Sequence, residues 1–310
     1  MKKLMTNNEL VDYMDEKGIL FNITSKSEAI EFLDSNTYYT KISAFRKNYS
    51  KNKCGKYINL EFAYLQELSK IDMYLRKILF DMCVDIEHYL KMYIINCLAN
   101  NHYNGYDIMI KYINYKVEQS GYDPLKTLRK HSKTSYSREL IDKHYPYIPI
   151  WVFLETTSMG DLVDFYKFFD SHVYHNANFK PDLLNSVKTI RNAGGHNTCI
   201  INNLFKTDNL QDSNSRFIND WISKNINSIN VRNRTTNMKN TVKRDVVVVL
   251  FLFDTIVKSD GIKKELYHNL SLLFKVRMKK HKEYFTKNNN IKSTYIFFNK
   301  IIDYLSENVL

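Results

Sequence analysis

LEFAYLQELSKIDMYLRKILFDMCVDIEHYLKMYIINCL, residues 60–98, decides the fold class. Leu68, Ile71, Leu75, Ile78, Leu79 and Met82 follow one another at helical spacing, and Ile86, Tyr89, Leu90, Tyr93, Ile94 and Cys97 continue the pattern. Such a period lines apolar side chains along one side of a helix, where a strand would alternate them. Neither Gly nor Pro interrupts the stretch, which predicts one long helix or two consecutive ones. Opposite the apolar stripe, Lys70, Asp72, Arg76, Lys77, Asp81, Asp85, Glu87 and Lys91 mix both signs of charge, the pattern of a solvated face. The whole chain has only 8 Gly and 4 Pro in 310 residues, too few for a turn-dense β architecture, so the expected fold class is all-α.

Working outward, two short helical patterns precede this stretch, around residues 8–16 and 27–34, with Ser25 or Ser27 as N-cap and Glu28 near the positive end of the second. Between them and the long stretch lies NTYYTKISAFRKNY, residues 36–49. It reads either as an aromatic-rich helix or turn packed on the core, or as a surface where Lys41, Arg46 and Lys47 touch phosphate while tyrosines stack on unpaired bases. Residues 100–147, rich in Tyr, Lys, Asn and Ser, predict short helices and a mobile loop. In IPIWVFLETTSMGDLVDFYKFF, residues 148–169, Pro149 suits a helix start, Gly160 marks a break, and Trp151, Phe153 and Leu154 read as core. Residues 288–290, a run of Asn, read as a loop.

The formal charge is +12, and residues 231–310 hold sixteen Lys and Arg against seven Asp and Glu, so +9 of it lies in the last quarter. Concentrated positive charge points to a polyanionic partner, either nucleic acid or an anionic membrane surface. Lys275, Arg277, Lys279 and Lys280 stand in a basic amphipathic segment with Leu266, Leu270, Leu273 and Phe274 and are the RNA-binding candidates of this region. The longest apolar run, residues 246–253, falls far short of the roughly 20 residues a membrane span needs, and reads as a buried helix segment. Cys54, Cys83, Cys97 and Cys199 form no C-x-x-C pair, and the first residues show no apolar signal-peptide core. The expectation is a cytoplasmic protein with reduced thiols, no metal, no cofactor and no membrane partner.

The tightest polar cluster is Arg191-Asn192-Ala193-Gly194-Gly195-His196, which follows the apolar face of Leu183, Leu184, Val187 and Ile190. A His can exchange protons with a ribose 2′-hydroxyl or a leaving oxygen while a guanidinium stabilises charge on the phosphoryl group, a pairing that needs no metal. On an ideal helix Asn192 and His196 share a face, whereas Arg191 and His196 lie roughly 140° apart. Gly194 and Gly195 each cost about 1 kcal/mol in a helix interior, which suggests a close backbone approach or a local break. The other reading pairs Arg191 with a core carboxylate such as Glu155 and makes His196 a helix cap.

Four blocks resemble, in order, the AbiD/AbiF-type abortive-infection family: NTYYTKISAFRKNY, SKIDMYLRKILFDMCVDIEHYLK, IPIWVFLETTSMGDL and SVKTIRNAGGHN. They cover roughly residues 30–205, and the Gly194-Gly195 pair departs from the family pattern, which more often has small or β-branched residues followed by Ala. The resemblance implies an HEPN-like helical bundle with additional N- and C-terminal helices, divided into a core at residues 1–230 and a basic helical extension at 231–310 packed on it. It implies an anti-phage role as a toxin-like endoribonuclease related to the ancestors of Cas13, restrained by a cognate small noncoding RNA. Arg191 and His196 would then be catalytic and Asn192 supporting, with two motifs meeting across a homodimer to leave a 2′,3′-cyclic phosphate. Two alternatives stay open: a structured-RNA-binding protein that does not cut, and a regulator that contacts only protein.

Overall fold

The structure, a computed structural model, describes residues 3–132, 136–175, 179–208 and 213–308. Apart from a two-residue parallel pairing of Ile19–Leu20 with Leu60–Glu61, the regular elements among the described residues are helices. The N-terminal helices are α1 (Asn7–Glu16), α2 (Lys26–Ser35) and α3 (Tyr39–Ala44), the last running into a 3-10 turn at Phe45–Asn48. Thr6 and Ser25 each close a reciprocal capping box, with Glu9 and Glu28 respectively, which resolves the cap of α2 in favour of Ser25.

The stretch at residues 60–98 forms one helix, α4 (Phe62–Asn100), 39 residues and therefore about 58 Å long. Then come α5 (Gly105–Ser120), α6 (Pro124–Ser132), α7 (Arg138–His144), α8 (Ile150–Thr156), α9 (Met159–His172) and α10 (Leu184–Gly195). The chain closes with α11 (Ser213–Asn225), α12 (Val231–Met238), α13 (Thr241–Ile256), α14 (Asp260–Lys275) and α15 (Asn289–Glu307). No helix of the described residues is long and apolar enough to cross a membrane. The run at residues 246–253 is buried throughout, inside α13.

α4 is the spine, and α10, α13 and α14 all pack along it. Two apolar clusters form on it. The larger joins Leu75 to Leu98 of α4 with α8, α9, α10, α13, α14 and α15. The smaller joins Phe62, Leu65, Leu68 and Ile71 with the N-terminal helices and with Phe285. Ile201 and Met278 pack against both, so they mark the seam.

Several local expectations change. Pro149 is the N-cap of α8 rather than its first residue, and the break before α9 is made by Thr157 and Ser158, whose hydroxyl accepts the Asp161 N–H. Gly160 lies within the first turn of α9. Trp151 is 48% exposed, lying edge-on to Tyr106, because α8 turns Val152, Phe153 and Leu154 inward instead. Asn288 caps α15 and Asn289 and Asn290 begin it, so this polar run opens a helix where a loop was expected. Asp72 and Arg76 leave the solvated face altogether: they are buried and paired at 3.2 Å.

Candidate functional site

α10 enters the bundle through a 3-10 turn at Pro181–Leu183 and buries Leu184, Val187 and Ile190 between α4 and α13. Its last turn runs so close to α4 that a Cβ built on Gly194 would stand 2.6 Å from Cδ2 and 2.9 Å from Cβ of Phe80. Carbon atoms do not approach that closely, so any larger residue here must displace Phe80. Gly195 is different, since its Cβ would meet only Cε2 of Phe80 at an ordinary 3.8 Å.

The helix ends at His196, its C-cap. Asn197 takes the left-handed conformation at φ 56°. The Asn197 N–H reaches Gly194 O at 3.1 Å and the Thr198 N–H reaches Ala193 O at 2.8 Å, the paired bonds of a Schellman motif. Asn, with its short polar side chain, is the residue after Gly best suited to that conformation. The cap reading of His196 thus describes its backbone, while its side chain stays exposed, as does that of Asn192 one turn earlier.

Arg191 is half-buried. Its partner is Glu87 of α4, not Glu155, with Nε 4.0 Å from Oε2. Glu87 also holds Lys91 at 3.0 Å, so one carboxylate serves two cations. The Arg191 Nε itself is sealed from solvent without a hydrogen-bond acceptor.

Beyond the cap, residues 198–204 form a strap fastened to α4. Asp72 Oδ1 accepts the N–H groups of Ile200 and Ile201 at 2.7 and 2.9 Å, and Arg76 donates to Thr198 O at 3.1 Å. Burial pushes the Asp72 carboxyl above its usual range, while these N–H donors and the Arg76 guanidinium pull it back. Asn48, fully buried, completes the fastening by donating to Ile201 O and accepting from the Leu204 N–H, both at 2.8 Å.

Among the N-terminal candidates, Lys41 lies against this strap, its carbonyl 3.6 Å from the Cys199 thiol, and burial with Arg76 nearby lowers its ammonium pKa. Arg46 is held over the rings of Tyr39 and Tyr57 at 5.4 and 5.8 Å, and donates to Ser43 O. Lys47 is exposed. Residues 36–49 therefore form an aromatic packing element that leaves Lys47 at the surface.

The C-terminal candidates divide likewise. Arg277 forks onto the buried carboxylate of Glu67 through both terminal nitrogens, and Lys275 pairs with Asp303 at 2.6 Å. Lys279 and Lys280 are exposed and form no ion pair among the described residues. No group of three His, Cys, Asp or Glu side chains suited to a metal gathers among the described residues.

A family model described as Abi-like protein matches residues 31–202, more than half of the chain. The chain belongs to the Abi-like protein family. Membership makes it an abortive-infection defence protein. The matched span runs from α2 to the strap and so holds α4, α10 and the whole Arg191-to-His196 cluster of this Abi-like protein. No curated protein and no solved structure matches it.

Four participants escaped the sequence reading: Phe80, Glu87, the Asp72–Arg76 pair and Asn48. Only the pair left a trace, two opposite charges four apart in a strongly apolar helix, which is equally the signature of a surface pair.

Proposed function

We propose that this Abi-like protein is an RNA-directed defence effector, a metal-independent endoribonuclease whose working groups are Arg191, Asn192 and His196. One observation carries the reading. In a bundle whose last turn of α10 is locked by the Gly194–Phe80 approach and by the Schellman cap, the imidazole of His196 and the amide of Asn192 are left at the surface. A rigid helix end that presents a proton-transfer group to solvent suits a polymeric substrate.

In this mechanism His196 takes the proton of a ribose 2′-hydroxyl, whose oxygen attacks the adjacent phosphorus. The bond to the 5′-oxygen breaks, that oxygen receives a proton from the imidazolium so formed, and a 2′,3′-cyclic phosphate remains. Arg191 stabilises charge on the phosphoryl oxygens, and Asn192 orients the imidazole from one turn away. Because Arg191 and His196 diverge around the helix, the site is completed by a second copy, each supplying groups to a shared strand. A cognate small noncoding RNA restrains the enzyme in the cytoplasm, and Lys47, Lys279 and Lys280 contact its phosphates.

A second reading, RNA binding without cutting, is favoured by Glu87, whose carboxylate lies 4.0 Å from the Arg191 Nε and offsets part of its charge in the isolated chain. End-labelled RNA incubated with the purified protein separates the two. Arg191→Ala and His196→Ala should each abolish cleavage and growth toxicity while the circular dichroism stays native. Unchanged cleavage by both variants rejects the catalytic assignment, and salt-sensitive binding without any product selects the second reading.

A further inference from the structure

At the seam between the two core clusters lies a cavity of about 410 Å³, within the roughly 300–1,000 Å³ typical of small-molecule sites. Ile71 and Leu75 of α4 line one side, Phe298 of α15 another, and Ile201 and Leu204 of the strap a third. The hollow opens to solvent between exposed Lys279, Lys282, Lys292 and Ile296, and an apolar groove left open in this way is a place for an occupant.

Its charged groups are few and of one sign. Lys279, Lys282 and Lys292 line it; all three are exposed, none forms an ion pair among the described residues, and no Asp or Glu joins the lining. Thr294 also lines it, is only 7% exposed, and its hydroxyl has no hydrogen-bond partner among the described residues. A buried hydroxyl without a partner is unfavourable, and it points to a missing polar atom from elsewhere.

We infer that this cavity binds a free single-chain amphiphile with an anionic head, a fatty carboxylate, its tail against Ile71, Leu75 and Phe298 and its carboxylate among Lys279, Lys282 and Lys292. The tail needs no hydrogen bonds, and Ile71, Leu75 and Phe298 offer none. A nucleotide would leave its base and ribose unpaired there, and an inserted peptide would leave its backbone unpaired. The occupant adds apolar contacts to Ile201 and Leu204, the strap that leaves His196, so binding stiffens the segment behind the end of α10. The binding itself does not depend on whether the protein cuts RNA.

Titration of the full chain with the fluorescent fatty acid cis-parinarate, followed by displacement, tests this. One saturable site per chain is expected, emptied by palmitate and about tenfold less readily by hexadecanol, which has the tail without the charge. The triple substitution Lys279→Glu, Lys282→Glu and Lys292→Glu, confined to exposed positions, should weaken palmitate about tenfold, and Leu204→Trp should fill the cavity and remove binding. Absence of saturable parinarate binding overturns the proposal. So does equal displacement by palmitate and hexadecanol with an unaffected triple variant, or binding only to vesicles of anionic phospholipid.

Discussion

The end of α10 and the turn that follows α14 are both rich in groups suited to phosphate, yet the fold holds them by different means. At residues 191–196 the backbone is fixed by Gly194 and the Asn197 cap while Asn192 and His196 are left at the surface. At residues 275–280 two of the four cations are engaged, Arg277 by Glu67, 210 positions earlier in the chain, and Lys275 by Asp303, while Lys279 and Lys280 stay exposed without an ion pair among the described residues. The lesson is that a cation in the sequence is a candidate for binding only until its carboxylate is found. A guanidinium forked onto a buried carboxylate is a structural tie, because withdrawing it leaves an uncompensated charge in the interior.

The largest expected effect breaks the first half of that comparison. His196→Ala should lower RNA cleavage by about 10²–10⁴, the usual contribution of general acid–base catalysis, with little change in stability because the side chain is exposed. Gel assays alongside thermal melts measure both, and a variant that melts early without losing cleavage would mean that the imidazole matters to the fold and not to the chemistry.

The second half is broken by Arg277→Met, which keeps an unbranched apolar stem without the guanidinium and strands Glu67 in the smaller core cluster's neighbourhood at 3% exposure. A loss of about 3 kcal/mol in denaturant unfolding is expected. Were stability unchanged and RNA binding reduced, Arg277 would belong with the nucleic-acid contacts after all.

A smaller effect sharpens the comparison within α10 itself. Gly194→Ala must displace Phe80, including its Cβ, and overpacking of this kind costs about 1–3 kcal/mol, against which the better helix propensity of Ala returns at most about 1. Gly195→Ala meets only an ordinary contact and should be neutral or mildly stabilising. Equal melting temperatures for the two variants would show that the close approach does not hold the helix end.

The smallest structural effect belongs to Lys279→Ala with Lys280→Ala, expected to leave stability within about 0.5 kcal/mol. If these lysines contact RNA phosphate, the slope of log affinity against log salt becomes shallower by roughly 1.4 to 2, while Lys275→Ala, whose ammonium already pairs with Asp303, changes it less. Filter binding across a salt series distinguishes the two.

The helical class, the helical course of residues 60–98, an N-cap at Ser25 or Ser27 and the Arg191-to-His196 cluster were legible in the sequence, because each rests on residues within a few positions of one another. Periodicity, a cap and a glycine pair are local signals, and the four ordered blocks that resembled the family are local as well. What α4 faces is not local. Asp72 and Arg76 carry the same i, i+4 spacing as a solvent-exposed pair, and only the strap arriving from residues 198–201 buries them. The same holds for Trp151, turned outward once α8 had given its inner face to Val152, Phe153 and Leu154. By itself the sequence determined that the chain is helical, where its main apolar stripes run and which groups could perform chemistry. The tertiary structure alone decided which of those groups are still available, since burial and charge pairing depend on segments brought together across the chain, such as Glu67 and Arg277, whose meeting no period in either segment records.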